Sequence, residues 1–308
     1  ALKIETTKED SKRKALLLLS LTGNLGLLFY FKYLIFFSNN VIGFMNILGI
    51  DVDPILYKII LPLGISFYTF QTISYTVDVF RGHINAERNF LLYASYVTFF
   101  PQLIAGPILR AREVIYQLSS EYRASSNDIY IGIKRIIYGL FLKVILADNI
   151  APLVDTGFNS SIELLSAIDV WTLSFLFGFQ IYFDFSAYSH IAIGSAKLIG
   201  VTFPENFKFP YSAKSPKDFW RRWHISLSSW IRDYLYLPLL GVKAMGSSSG
   251  GINATKLNQQ NTRPLFITWI IMGFWHGANW TFLLWGVYHA FIIFIYRIIK
   301  KSFWFLSI

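Results

Sequence analysis

Residues 264 to 296 read PLFITWIIMGFWHGANWTFLLWGVYHAFIIFIY, 33 positions with no lysine, arginine or acid, bracketed by Arg263 and Arg297. One straight helix of that length would rise about 50 Å, well past a hydrocarbon core of roughly 30 Å. Two complete passes need about 40 residues. With a basic residue at each end, the economical solution is a short or broken hairpin bending near Gly277 and Ala278. His276 is then expected to lie deep, far from either basic end.

The rest of the chain has the same character. Of its 308 residues 54% are apolar and only 15% charged, which excludes an ordinary soluble domain. Runs long enough to span fall near residues 15–37, 54–77, 129–150 and 170–196, so the sequence predicts an all-α, polytopic membrane protein with the lipid bilayer as its first partner. The net charge of +10 is scattered through short segments between apolar runs. It forms no single stripe with interleaved aromatics, so nucleic acid is not expected as a partner. Cysteine is absent, which removes disulfides, thiolate nucleophiles and cysteine-based metal sites.

Basic residues set the expected topology. Lys3, Lys8, Lys12, Arg13 and Lys14 place residues 1 to 14 inside; Asp51 and Asp53 mark an outer loop; Arg81 and Arg88 return to the cytoplasm. Asp155 and Glu163 mark a second outer stretch, and Lys197, Lys208, Lys214, Lys217, Arg221 and Arg222 a second inner one. In YVTFFPQLIAGPILRAR, residues 96–112, Pro101, Gly106 and Pro107 interrupt an apolar run. Proline removes a backbone donor, so a broken or re-entrant segment is expected there, with a proline-kinked span as the alternative. Residues 241–263 have the composition of a flexible polar loop. Because the chain opens on a charged loop and closes on the apolar FWFLSI, residues 1–308 are expected to be one integral-membrane domain lacking spans at both ends.

Two stretches carry candidate chemistry. At about 100° per residue, KDFWRRWHISLSSWIRDYLYLPLLG (217–241) puts Arg221, His224, Ser228 and Arg232 on one stripe of a helix, with its tryptophans opposite. Such a helix either anchors the protein at the headgroup level or offers a polar wall on which Arg221, Arg222 and Arg232 meet phosphates. In the opening segment, an imidazole inside a bilayer is costly and hence a functional candidate. A desolvated, neutral His276 can accept a proton as a general base; the competing role is a packing histidine bonded to neighbouring helices. Asn279 shares its face if the helix continues, and Trp275 and Trp280 can shape an apolar passage. Asp184, with Ser186 and His190 nearby, orients a histidine, pairs with a basic group, or makes a purely structural bond between helices. The five histidines show no HxxH or HExxH spacing, so no metal site is expected.

FWRRWHISLSSWIRDYLYLPL, FFPQLIAGPILR, IYFDFSAYSHIAIG, PENFKFPY and GFWHGANWTFLLWGVYH together resemble the membrane-bound O-acyltransferase family, in its alginate O-acetyltransferase-like branch, in register from about residue 15 to 298. The resemblance implies a ring of transmembrane helices with re-entrant or interfacial pieces around a thin centre. It also implies a tunnel from a cytoplasmic donor site to the outer face. His276 matches the family's invariant histidine and His224 its second motif histidine. The implied activity is acetyl transfer from acetyl-CoA, with no other cofactor, to a secreted or membrane-anchored acceptor protein serving an extracellular polysaccharide, in the bacterial cytoplasmic membrane. His190 departs from the aspartate expected at its position, and the insertion at 246–251 lengthens a loop near the donor side. D-alanyl transfer to teichoic acid, within the same superfamily, is the alternative. From another class, a proton-coupled transporter would use Asp184 and the histidines as a relay.

Overall fold

The computed structural model describes residues 1–55, 59–103, 106–120, 123–242 and 261–306. Every regular element among them is helical, as the hydropathy pattern predicts, and the chain divides into two compact units.

The first unit comprises Ala1–Asn89, Pro210–Arg221 and Leu227–Ile308. It opens with α1 (Leu2–Thr6), α2 (Asp10–Lys32) and α3 (Leu34–Ile47), followed by α4 (Ile65–Phe80). The span expected near 54–77 is therefore a 16-residue helix with an irregular approach. Pro54 and Pro62 deny backbone donors there, and Gly64 turns into α4 at φ +75, a conformation that costs a side chain but not glycine. Polar pairs join α2 to α4: Thr72 Oγ1 donates to Asn24 Oδ1 at 2.5 Å and Ser20 Oγ to Thr76 Oγ1 at 3.4 Å. Bonds of this kind substitute between apolar helices for a hydrophobic driving force that lipid does not supply.

The hairpin expected from the charge-free stretch is present. α13 (Arg263–His276) stops, residues 277–279 are not helical, and α14 (Trp280–Leu306) returns. The two helices pack antiparallel, with Gly273 against Phe282 and Gly286 against Trp269. A methyl group at either glycine would run into the opposing carbonyl. Gly286→Val is accordingly expected to destabilise the hairpin by about 3 kcal/mol, the upper range for overpacking. Thermal melts of the detergent-solubilised protein check this. Among the described residues, two helices, Asp10–Lys32 and Trp280–Lys300, are long and apolar enough to cross a membrane.

The second unit comprises Phe90–Phe209 and Arg222–Ser226. Between α5 (Phe90–Val97) and α6 (Ala111–Ser119) the described residues, 98–103 and 106–110, are irregular, as Pro101, Gly106 and Pro107 predict. The long helical run expected near 129–150 is α7 (Ser126–Leu140), a π-helical turn (Phe141–Ala147) and α8 (Asp148–Asn159) without a break. α9 (Ala167–Leu198) packs against α7 and α8. Capping boxes start α7 and α9: Ser125 Oγ donates to Asp128 Oδ2 and Ser166 Oγ to Asp169 Oδ2, each at 2.7 Å, and each aspartate amide donates back. The Ser166 hydroxyl and amide hold the Asp169 carboxyl below the usual carboxylate range.

One expectation fails. Residues 217–241 are not a single amphipathic helix but a short α10 (Pro216–Phe219), a turn, α11 (Ile225–Ile231), a π-helical turn (Arg232–Tyr236) and α12 (Leu237–Leu239). The break falls at His224, whose φ is +41. Backbone bonds from elsewhere take the groups a continuous helix would use: Lys208 N donates to Arg222 O and Ile225 N to Asn206 O, both at 2.9 Å. Arg221, His224, Ser228 and Arg232 consequently do not form one helical stripe. Most of the polar loop, residues 243–260 with the 246–251 insertion, lies outside the described residues.

Candidate active site

His276 is the last residue of α13 and is exposed as a whole residue. Aromatic rings nonetheless surround it. Trp285 stands edge-on at 4.9 Å, Trp275 at 5.1 Å, and Phe282 lies nearly parallel at 6.4 Å. Trp275 itself is buried in a stack, with Phe70 of α4 parallel to it at 5.0 Å and Trp230 on the far face of Phe70 at 4.0 Å. Trp230 Nε1 donates to Phe70 O at 3.0 Å, which fixes the stack in rotation. The sequence places His276 between tryptophans; the fold turns one of them inward and leaves the histidine at the lip. Beyond Trp285, His289 is enclosed by Trp285 at 4.5 Å, Trp220 at 5.1 Å and Trp269 at 5.4 Å.

Asn279 does not share a helical face with His276, because α13 ends between them. Instead its side-chain oxygen accepts from Thr281 N at 3.1 Å and its carbonyl from Phe282 N at 3.2 Å, so it starts α14.

His224 belongs to the second unit and is buried, 2% exposed. Phe185 meets its ring edge-on at 4.6 Å and Phe207 lies parallel at 6.5 Å. Arg222 reaches Lys208 O at 3.4 Å. In the first unit Arg221 is exposed and Ser228 half-buried on α11. Arg232 is exposed too, but its fork rests on the neighbouring Asp233, at 2.7 and 3.2 Å.

Asp184 makes an ion pair between helical elements, which fits two of the readings left open by its sequence context, a basic partner and a structural interhelix bond. Lys143, from the π-helical turn, reaches Asp184 at 2.6 Å and Asp148 at 2.8 Å. His190 accepts through Nδ1 from Arg135 at 2.9 Å, because a guanidinium can only donate. The same guanidinium forks onto both carboxylate oxygens of Glu205.

A profile of the membrane-bound O-acyltransferase family matches residues 79–305, which include both candidate histidines and the bend of the α13–α14 hairpin. The chain belongs to this family. It is 42% identical over 275 residues to a probable alginate O-acetylase of Azotobacter vinelandii, covering 89% of this chain and 52% of that protein. It is 37% identical over 323 aligned positions to a peptidoglycan O-acetyltransferase of Helicobacter pylori, covering 96% and 58%. A teichoic acid D-alanyltransferase of Bacillus subtilis is 29% identical over 247 residues, covering 78% and 60%. The chain thus spans about half the length of the curated relatives it matches.

Three features of this O-acyltransferase family member were given no role by the sequence reading, although Glu205 and Asn206 lie in its PENFKFPY segment. Asn206 is fully buried and holds the start of α11: its Oδ1 accepts from Ser226 N at 3.2 Å and Ser226 Oγ at 2.9 Å, while Nδ2 donates to Ser189 Oγ at 3.0 Å. Arg135 and Glu205 join α7 to the stretch that follows α9. Lys32, at the end of α2, donates to the carbonyl of Trp275 beside His276. No sequence spacing announces the last contact, since 243 residues separate the partners.

Proposed function

We propose that the full-length protein is a multi-pass acyltransferase of the bacterial cytoplasmic membrane. It moves acetyl from cytoplasmic acetyl-CoA to a hydroxyl acceptor at the outer face, for O-acetylation of an extracellular polysaccharide such as alginate. The observation that carries this is an exposed histidine, His276, at the tip of a helical hairpin in a chain of the O-acyltransferase family. Higher identity to the two O-acetylating relatives, 42% and 37%, than to the D-alanyltransferase, 29%, favours acetyl over D-alanyl.

Neutral His276 takes the proton of the acceptor hydroxyl as that oxygen attacks the thioester carbonyl. The carbon–sulfur bond then breaks, and the departing thiolate receives the proton from the imidazolium. Arg221 and Arg222, with Ser228 and Arg232, are the proposed seat of the donor's phosphates, guanidinium being suited to bidentate contacts. His224 assists donor positioning or proton transfer, and Trp275, Asn279 and Asp184 line the passage. Acetyl-CoA is the donor and no further cofactor is called for; the acceptor is a secreted or membrane-anchored protein. Cytoplasmic basic ends for α13 and α14, and spans ringed about a thin centre, belong to the same proposal.

Radiolabelled acetyl-CoA supplied to the full-length protein in proteoliposomes tests it. Label transferred to a hydroxyl acceptor supports the proposal. Solute flux without label transfer would replace it with a transporter, and transfer from a D-alanyl donor alone would replace acetyl with D-alanyl.

A further inference from the structure

α13 ends at His276, so the carbonyls of its last turn have no amide further along the helix to accept from. In an apolar surrounding each unsatisfied carbonyl would cost several kcal/mol. Two neighbouring residues of the first unit meet two of these carbonyls in succession. The Lys32 ammonium donates to Trp275 O, and the Tyr33 hydroxyl donates to Phe274 O at 2.8 Å. Lys32 Nζ also stands 5.5 Å from the Trp275 ring centre and 3.4 Å from Ser66 Oγ. A lysine in an apolar helix is expensive, and the place where it is best compensated is a helix C-terminus, whose dipole attracts a cation.

We propose that Lys32 is a positioning residue for His276: its ammonium caps the helix that ends in the imidazole and thereby sets the direction and depth at which the imidazole meets the acceptor. This rests on His276 acting as proposed above. Lys32 precedes the residues matched by the family profile, so family membership does not by itself assign it this role. Tyr33 adds a second, neutral anchor. Together they leave the last turn of α13 little freedom to rotate, and angular freedom is what a base aimed at one oxygen cannot tolerate. A misplacement of about 1 Å is enough to cost on the order of 10²-fold in rate.

The test uses the full-length protein in proteoliposomes with labelled acetyl-CoA, comparing Lys32→Met, Lys32→Gln, Lys32→Arg and His276→Ala at equal amounts of folded protein. Lys32→Met is expected to lower kcat by about 10- to 100-fold while the donor KM stays within about twofold. Lys32→Arg, which restores both charge and donors, is expected to recover most of the loss. If Lys32→Met does not fold, Lys32→Gln, neutral but still a donor, is compared with Lys32→Arg in the same way. Full kcat in the folded neutral variant, or a raised KM with kcat unchanged, overturns the positioning role. An inactive His276→Ala beside a fully active Lys32→Met removes this inference alone, whereas a fully active His276→Ala removes the base assignment on which it rests.

Discussion

Replacing His276 by alanine in the full-length protein is expected to leave the polysaccharide unacetylated while the protein stays in the membrane at parental abundance. His276 is exposed as a whole residue at the end of α13, and its ring meets three aromatic rings. Its removal opens no enclosed cavity, so the stability cost is expected to be about 1 kcal/mol or less. The rate cost is larger, because a positioned general base contributes about 10²–10⁴-fold, equivalent to roughly 3–5 kcal/mol of barrier. Polymer acetyl content and membrane abundance must be measured together. Proportional loss of both would assign His276 to packing.

Asn206→Leu is expected to cost the second unit most of its stability. The side chain has no exposed surface, and its amide serves three groups: the Ser226 amide, the Ser226 hydroxyl and the Ser189 hydroxyl. Leucine fills similar volume but leaves all three without this partner, at about 1–3 kcal/mol each. A sum of about 3–9 kcal/mol rivals the whole margin of many domains. The thermal midpoint should fall steeply, or folded protein should not be recovered. The same network maintains His224 at its positive φ, which makes a matched pair informative. His224→Gly removes the imidazole at a backbone angle glycine adopts freely but empties a buried site between Phe185 and Phe207, so its activity is read at equal amounts of folded protein. His224→Val loses the same ring and adds backbone strain of about 1–3 kcal/mol, so it should melt earlier.

What the sequence made legible was governed by local chemistry. The bend at 277–279 followed from a charge-free stretch too long for one pass and too short for two, and the irregular backbone at residues 98–103 and 106–110 followed from two prolines and a glycine. The helical class followed from composition. What stayed hidden depended on partners far along the chain. Residues 217–241 have strong helical periodicity, yet Asn206 and Lys208 capture the backbone on either side of His224 and override it. Lys32 lies inside the apolar run at 15–37, where nothing nearby in sequence explains it; only the meeting of the ends of α2 and α13 gives it a task. Asp184 was left between a histidine, a basic group and a structural interhelix bond because nothing in its own segment pointed to Lys143, 41 residues earlier.

The most direct test of the central claim is the rate of label transfer from acetyl-CoA by purified full-length His276→Ala in proteoliposomes, with and without added imidazole. A proton-accepting role predicts a fall of about 10²–10⁴-fold and a concentration-dependent partial return when imidazole enters the vacated, exposed site. A rate within about twofold of the parent without imidazole would contradict it.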